Sequence, residues 1–176
     1  VAATAWAKEG HLVAWDQLPA PVTALPTPAQ PVSGEQVEVN EDGGQLTLSL
    51  GDLQVTFDAD LGELTGLGDF DALVHGPVLN LWRAPLDNDV LQNHYRYAER
   101  SDASWQKLGL DKLQRKLENF ELIKSAEGLP AVRIRQSFSG REQWNDVRYT
   151  HTYTPLPDGA LRIQSQVRLA PDFTDL

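Results

Sequence analysis

Cysteine is absent from the 176 residues, and methionine is absent too. Without thiols neither a disulfide framework nor a thiolate metal site can form, which suits a reducing cytoplasm. No apolar run reaches the ~18 residues of a membrane span. The first 30 residues lack the basic start and apolar stretch of a secretory leader. Cations are scarce: Lys and Arg together number 15 against 25 Asp and Glu, for a formal net charge of −10. That balance argues against nucleic acid and against anionic membranes, both of which select clustered Lys and Arg. A soluble acidic surface accounts for it. Helix signals are also few, and Ser101 or Asp102 capping a short turn with Trp105 and Leu108, closed by Gly109, is the one candidate.

What is present is apolar alternation. The chain is 41% hydrophobic with five Trp, four Tyr and five Phe, enough for one domain with a sizeable core. Leu46, Leu48 and Leu50 alternate with Thr47 and Ser49; Leu53, Val55 and Phe57 alternate with Gln54 and Thr56. A period of two with one apolar face marks a half-buried antiparallel strand. Gly51-Asp52 between the two runs predicts a tight hairpin, and Leu61-Gly62-Glu63 another reversal. Val78 to Trp82 is a further apolar run, read as a strand. Later, Val132, Ile134 and Phe138 share a face opposite Arg133 and Arg135, and Val147, Tyr149, His151 and Tyr153 alternate with Arg148, Thr150 and Thr152. Pro157-Asp158-Gly159 turns the chain into Leu161, Ile163, Val167 and Leu169. Leu113 to Lys124 is a strand with a break of period, and hence a bulge, expected near Glu121-Leu122-Ile123. Short strands at regular spacing with so little helix predict an all-β antiparallel sandwich.

Three parts are expected along the chain. Residues 1–18 hold a lone strand candidate, Leu12-Val13-Ala14-Trp15, which must lean on a neighbour because one strand cannot bury its own face. Residues 19–34 carry Pro19, Pro21, Pro26, Pro28 and Pro31, the composition of a semi-rigid spacer. Residues 35–176 are the sandwich.

The segment Arg83-Ala84-Pro85-Leu86-Asp87-Asn88-Asp89 ends the run before it, because Pro85 fixes its own φ and holds Ala84 extended. Asp87, Asn88 and Asp89 supply oxygens that cap turns, bind cations or meet hydroxyls. A turn-and-cap role is the plain reading, with Arg83 bracing the carboxylates in a charge-assisted network. Asp87 and Asp89 are spaced to share a face. Nothing around them suggests an apolar pocket able to raise one pKa, so a catalytic dyad is not the favoured reading.

Trp82-Arg83-Ala84-Pro85-Leu86-Asp87-Asn88-Asp89 resembles the RAPxDND segment of the large bacterial β-galactosidases of glycoside hydrolase family 2. Ala5-Trp6-Ala7-Lys8-Glu9-Gly10-His11-Leu12-Val13-Ala14-Trp15 resembles the last strand region of the immunoglobulin-like domain that precedes their final β-sandwich. Together the two matches cover roughly the first half of the chain, in the family's order. The resemblance implies a piece of such an enzyme: the end of that domain, then the start of a very large sandwich similar to galactose mutarotases. It also implies that both catalytic glutamates belong to a barrel elsewhere, so this chain would be inactive alone. The residues after Asp89, with His94, Tyr95 and Tyr97, would form part of the active-site rim and meet galactoside. Arg83, Asp87, Asn88, Asp89, His94 and Tyr95 are therefore the site residues, structural or rim in role, with none catalytic. Mg²⁺ and Na⁺ or K⁺, used by many relatives, would be held by other domains. The expected partners are those domains, together with a second copy through exposed sheet edges.

Two rivals remain. An autonomous carbohydrate-binding module would need an exposed aromatic platform, for which the row Tyr149, His151, Tyr153 is the candidate, against the plainer reading of His151 as a core residue. An aldose 1-epimerase would need an acid facing a base across a cleft. Asp58-Ala59-Asp60-Leu61-Gly62-Glu63 hints at a calcium loop but lacks the acidic or Asn residue expected before the glycine, and reads as a hairpin turn. His11, His75, His94 and His151 show no metal-ligand spacing.

Overall fold

Each alternating run forms one arm of a hairpin. The computed structural model describes residues 8–9, 36–68, 76–84, 86 and 101–173. The lone strand candidate of residues 1–18 and the proline-rich spacer therefore lie outside the described residues, apart from Lys8 and Glu9. Strands β1 (Glu38–Asp42), β2 (Gln45–Leu50), β3 (Leu53–Asp58) and β4 (Glu63–Leu67) form one four-stranded sheet in that order. A second sheet contains β5 (Gln114–Lys124), β6 (Pro130–Ser139), β7 (Val147–Pro155) and β8 (Leu161–Leu169), again in chain order. All pairs are antiparallel. The fold is all-β, as the alternation predicts.

The turns form where the sequence places flexible or self-bonding residues. Gly51 takes a φ of 56 between β2 and β3, and Gly62 a φ of 64 before β4. The acidic loop is a hairpin turn: Asp58 Oδ1 accepts from the backbone N–H groups of Asp60 (3.0 Å) and Leu61 (2.8 Å). Asp158 Oδ1 likewise accepts from the N–H of Ala160 at 3.1 Å.

The sheets pack through their apolar faces. Leu46, Leu48, Val55, Phe57 and Leu64 from the first meet Val132, Ile134 and Tyr153 from the second in one buried cluster. Gln136 sits on the same inner face, buried, and its Nε2 donates to the Gly62 carbonyl across the sandwich at 3.0 Å. A second cluster joins Phe138, Val147 and Tyr149 to Leu108, Leu110 and Phe173. Helix α1 (Ser101–Lys107) and a 3₁₀ turn at Leu110–Lys112 supply its lid. The helix starts at Ser101 itself, so Ser101 and Asp102 lie within it, and Gly109 closes it with a φ of 72.

Two expectations are corrected. Val78 to Trp82 is not a strand: residues 76–84 carry no strand assignment. Asn80 Oδ1 takes the N–H of Trp82 at 2.9 Å, a local bond that competes with ladder formation. Leu79, Leu81 and Trp82 pack on the second core cluster. The bulge of β5 lies between Leu117 and Asn119, not at Glu121-Leu122-Ile123. Leu117 and Phe120 are an odd number of residues apart, yet both face the core. One extra residue, Glu118, lets them do so and bonds Ser137 on the outer face at 2.6 Å.

Candidate functional site

A proline at position 85 disfavours helical conformations at Ala84. The half-buried Trp82 meets Trp105 of α1 edge to face, with ring centroids 6.1 Å apart and planes at 84°. Arg83 points to the same indole: its Cζ lies 5.1 Å from the Trp105 centroid. Its Nη1 donates to the Ala84 carbonyl at 3.3 Å. Two consecutive side chains, Trp82 and Arg83, thus meet one indole. Leu86 beyond them is exposed.

Of the predicted site residues, Arg83 is described, and Asp87, Asn88, Asp89, His94 and Tyr95 lie outside the described residues. Sequence reasoning paired Arg83 with the carboxylates, which lie outside the described residues, and did not join it to Trp105, twenty-two positions on in the chain. The available signal was a tryptophan in the short helix that the sequence predicts.

The row on β7 is buried. Tyr149, His151 and Tyr153 are 8%, 3% and 2% exposed, so they present no platform to a sugar ring. His151 lies parallel to Tyr153 (centroids 5.6 Å, planes at 6°) and edge-on to Tyr149 at 3.9 Å. Its Nδ1 shares a hydrogen bond of 3.2 Å with the Tyr153 hydroxyl. Its Nε2 is buried without a partner. Burial holds the imidazole down at about 4 and pushes the Tyr153 phenol up to about 12. A neutral histidine and a neutral tyrosine in a dry core are packing groups.

Among the described residues no three His, Asp or Glu side chains converge as a metal site. None of the described helices is long and apolar enough to cross a membrane.

The family model for the small chain of β-galactosidase matches residues 49–174. The chain belongs to the β-galactosidase small-chain family. That stretch holds strands β3 to β8, helix α1 and the Arg83–Trp105 contact. A β-galactosidase of Arthrobacter sp. (strain B7) is 34% identical over 163 residues, covering 82% of this chain. The chain spans 14% of the length of that relative. The β-galactosidase small-chain unit seen here is thus a sandwich whose inner face is filled and whose Arg83 segment is pinned to its short helix.

Proposed function

We propose that this chain is a non-catalytic sandwich unit of a family 2 glycoside hydrolase, serving as scaffold and as part of the active-site rim of a β-galactosidase. The family match over residues 49–174, in a chain spanning 14% of a β-galactosidase, carries the reading. The parent enzyme would hydrolyse terminal β-galactosides with retention, using two carboxyl groups about 5 Å apart on another part of the polypeptide. The Arg83–Trp82–Trp105 assembly supports the rim role, because it anchors residues 82 and 83, a few positions before the segment 87–97, to helix α1. Asp87, Asn88 and Asp89 then cap that segment, and His94 and Tyr95 meet the galactoside or an adjoining domain. The parent would work in the cytoplasm. Any Mg²⁺ or Na⁺ and K⁺ it uses would be bound by other domains.

The test compares the purified chain with the longer parent polypeptide on a nitrophenyl β-galactoside. The parent turns it over, and the chain alone does not. Arg83→Ala in the parent loosens the rim and lowers kcat/KM by about tenfold or more. Turnover by the purified chain, scaling with its amount after contaminants are removed, would sink the proposal.

A further inference from the structure

The outer face of the second sheet carries a ladder the core does not explain. Cross-strand register places Arg133, Thr152 and Gln164 in one row, and Arg135, Thr150 and Gln166 in the next. The third row is Lys116, Ser137, Arg148 and Arg168. These side chains line a trough of about 890 Å³, closed on one side by Trp144 and Asn145 from the β6–β7 turn. Five cations line it against one carboxylate, Glu118, in a chain whose formal net charge is −10.

The cations are unevenly satisfied. Glu121 serves both Arg135 (2.8 Å) and Arg133 (3.5 Å). Glu118 is held by Ser137 at 2.6 Å and by Lys116 at 3.3 Å, and these bonds lower its pKa, with a smaller contribution from Arg148. Arg148 and Arg168 are direct cross-strand partners, and like charges so placed repel. Arg148 donates to the neutral Asn145 Oδ1 at 2.6 Å. Arg168 makes no hydrogen bond or ion pair with a described residue. Two adjacent guanidiniums without a carboxylate of their own form a fork for one from outside.

The rim is held in advance. Arg141 grips Asp146 through Nε–Oδ2 (2.9 Å) and Nη2–Oδ1 (2.8 Å), and Ser139 donates to the same carboxylate at 3.0 Å. Trp144 and Asn145 lie between those clamped residues. The Lys116 ammonium sits 6.0 Å from the Trp144 ring centroid.

We propose that this trough binds an anionic saccharide, with its carboxylate between Arg148 and Arg168. Its ring lies against Trp144, and its hydroxyls meet Asn145, Thr150 and Gln166. The lining favours a sugar over an acidic peptide. Peptide interfaces take much of their affinity from aromatic and apolar anchors in pockets, whereas this one sets hydroxyl and carboxamide groups and a single indole among its five cations. The site lies on the opposite face of the sheet from the core.

Calorimetric titration of the full chain with digalacturonate, neutral galactobiose and a tetraglutamate peptide tests it. Digalacturonate binds at least about tenfold more tightly than either control, since one hydrogen bond to a charged group accounts for that ratio. Arg148→Gln and Arg168→Gln each weaken it by about tenfold or more on the same grounds. Added salt weakens acidic-sugar binding by the wild-type chain, a readout that needs no variant to fold. Equal binding of the neutral sugar, equal or tighter binding of the peptide, no detectable binding of digalacturonate, or insensitivity to both salt and substitution each overturns the assignment.

Discussion

Arg83 places its guanidinium over the indole of Trp105, 5.1 Å from Cζ to the ring centroid, and this contact links residues 76–84 to helix α1. Cation–π pairs at exposed sites contribute about 0.5–1 kcal/mol. Arg83→Ala therefore costs about 1 kcal/mol or less in urea unfolding. Trp105→Ala also removes the edge contact with Trp82 and half-buried area on the second core, and costs about 2–4 kcal/mol. A double-mutant cycle gives a coupling near the cation–π value; zero coupling would show that the two side chains are neighbours without interacting.

Asp146 is a buried carboxylate with three hydrogen bonds from side chains. Its side chain is 3% exposed, and it holds both the Arg141 fork and the Ser139 hydroxyl. Asp146→Ala leaves Arg141 without its buried partner and lowers stability by about 3–5 kcal/mol, measured by chemical denaturation. Ser139→Ala, which removes one bond to that carboxylate and also frees the Arg141 and Gln143 N–H groups, costs about 1–3 kcal/mol.

Gly140 abuts Gly109 so closely that a Cβ on either would overlap the other's backbone. Gly109 also has a φ of 72, which side-chain-bearing residues rarely take. Gly140→Ala forces the helix end off the sheet and destabilises by about 2 kcal/mol or more. Thermal unfolding at the wild-type midpoint would contradict the observed approach.

Stability depends on pH through His151. Its folded pKa, about 4, is lower than the ordinary 6.5 because the imidazole is buried. The unfolded chain takes up this proton as pH falls below about 6.5 while the folded chain refuses it until about 4. The unfolded state therefore binds more protons across that window, and stability is full above it and falls as pH drops through it. The loss amounts to about 3 kcal/mol. His151→Phe removes it, so urea midpoints of wild type and variant diverge between pH 4 and 6.5. Parallel profiles would mean the imidazole is not excluded from water.

The inner-face side chains of β8 are half bare: Ile163, Val167 and Leu169 are 43%, 41% and 44% exposed. β8 is also the edge of its sheet among the described residues. An apolar edge strand templates further pairing. Light scattering should show the mass rising with concentration, and Val167→Lys should suppress it. A mass fixed at 19.5 kDa at every concentration would count against the edge as an association surface.

The sandwich was legible because period-two alternation survives in β2, β3, β6 and β7, where one face is core and the other is water. It failed at Val78–Trp82, where an apolar run lies against a core without joining a ladder, since periodicity reports burial and not pairing. The bulge was legible as a fault in β5 but misplaced, because only cross-strand register shows that Glu118 is the extra residue. The rim residues were named by resemblance and all but Arg83 lie outside the described residues; for Arg83 the structure shows the ring on which it rests. The outer ladder was half visible in the Arg133 and Arg135 alternation. Its third row needed Arg148 and Arg168, twenty positions apart, to be set side by side.

Strand order equal to chain order in both sheets has a kinetic consequence. Every ladder closes over a short connection, so each meander can zip by itself within the microseconds typical of hairpins. The encounter that brings Gly62 to Gln136, 74 residues apart, comes afterwards. Substitutions at that seam should slow the search for the native state, whereas those in the hairpin turns should chiefly alter how readily each half assembles before they meet.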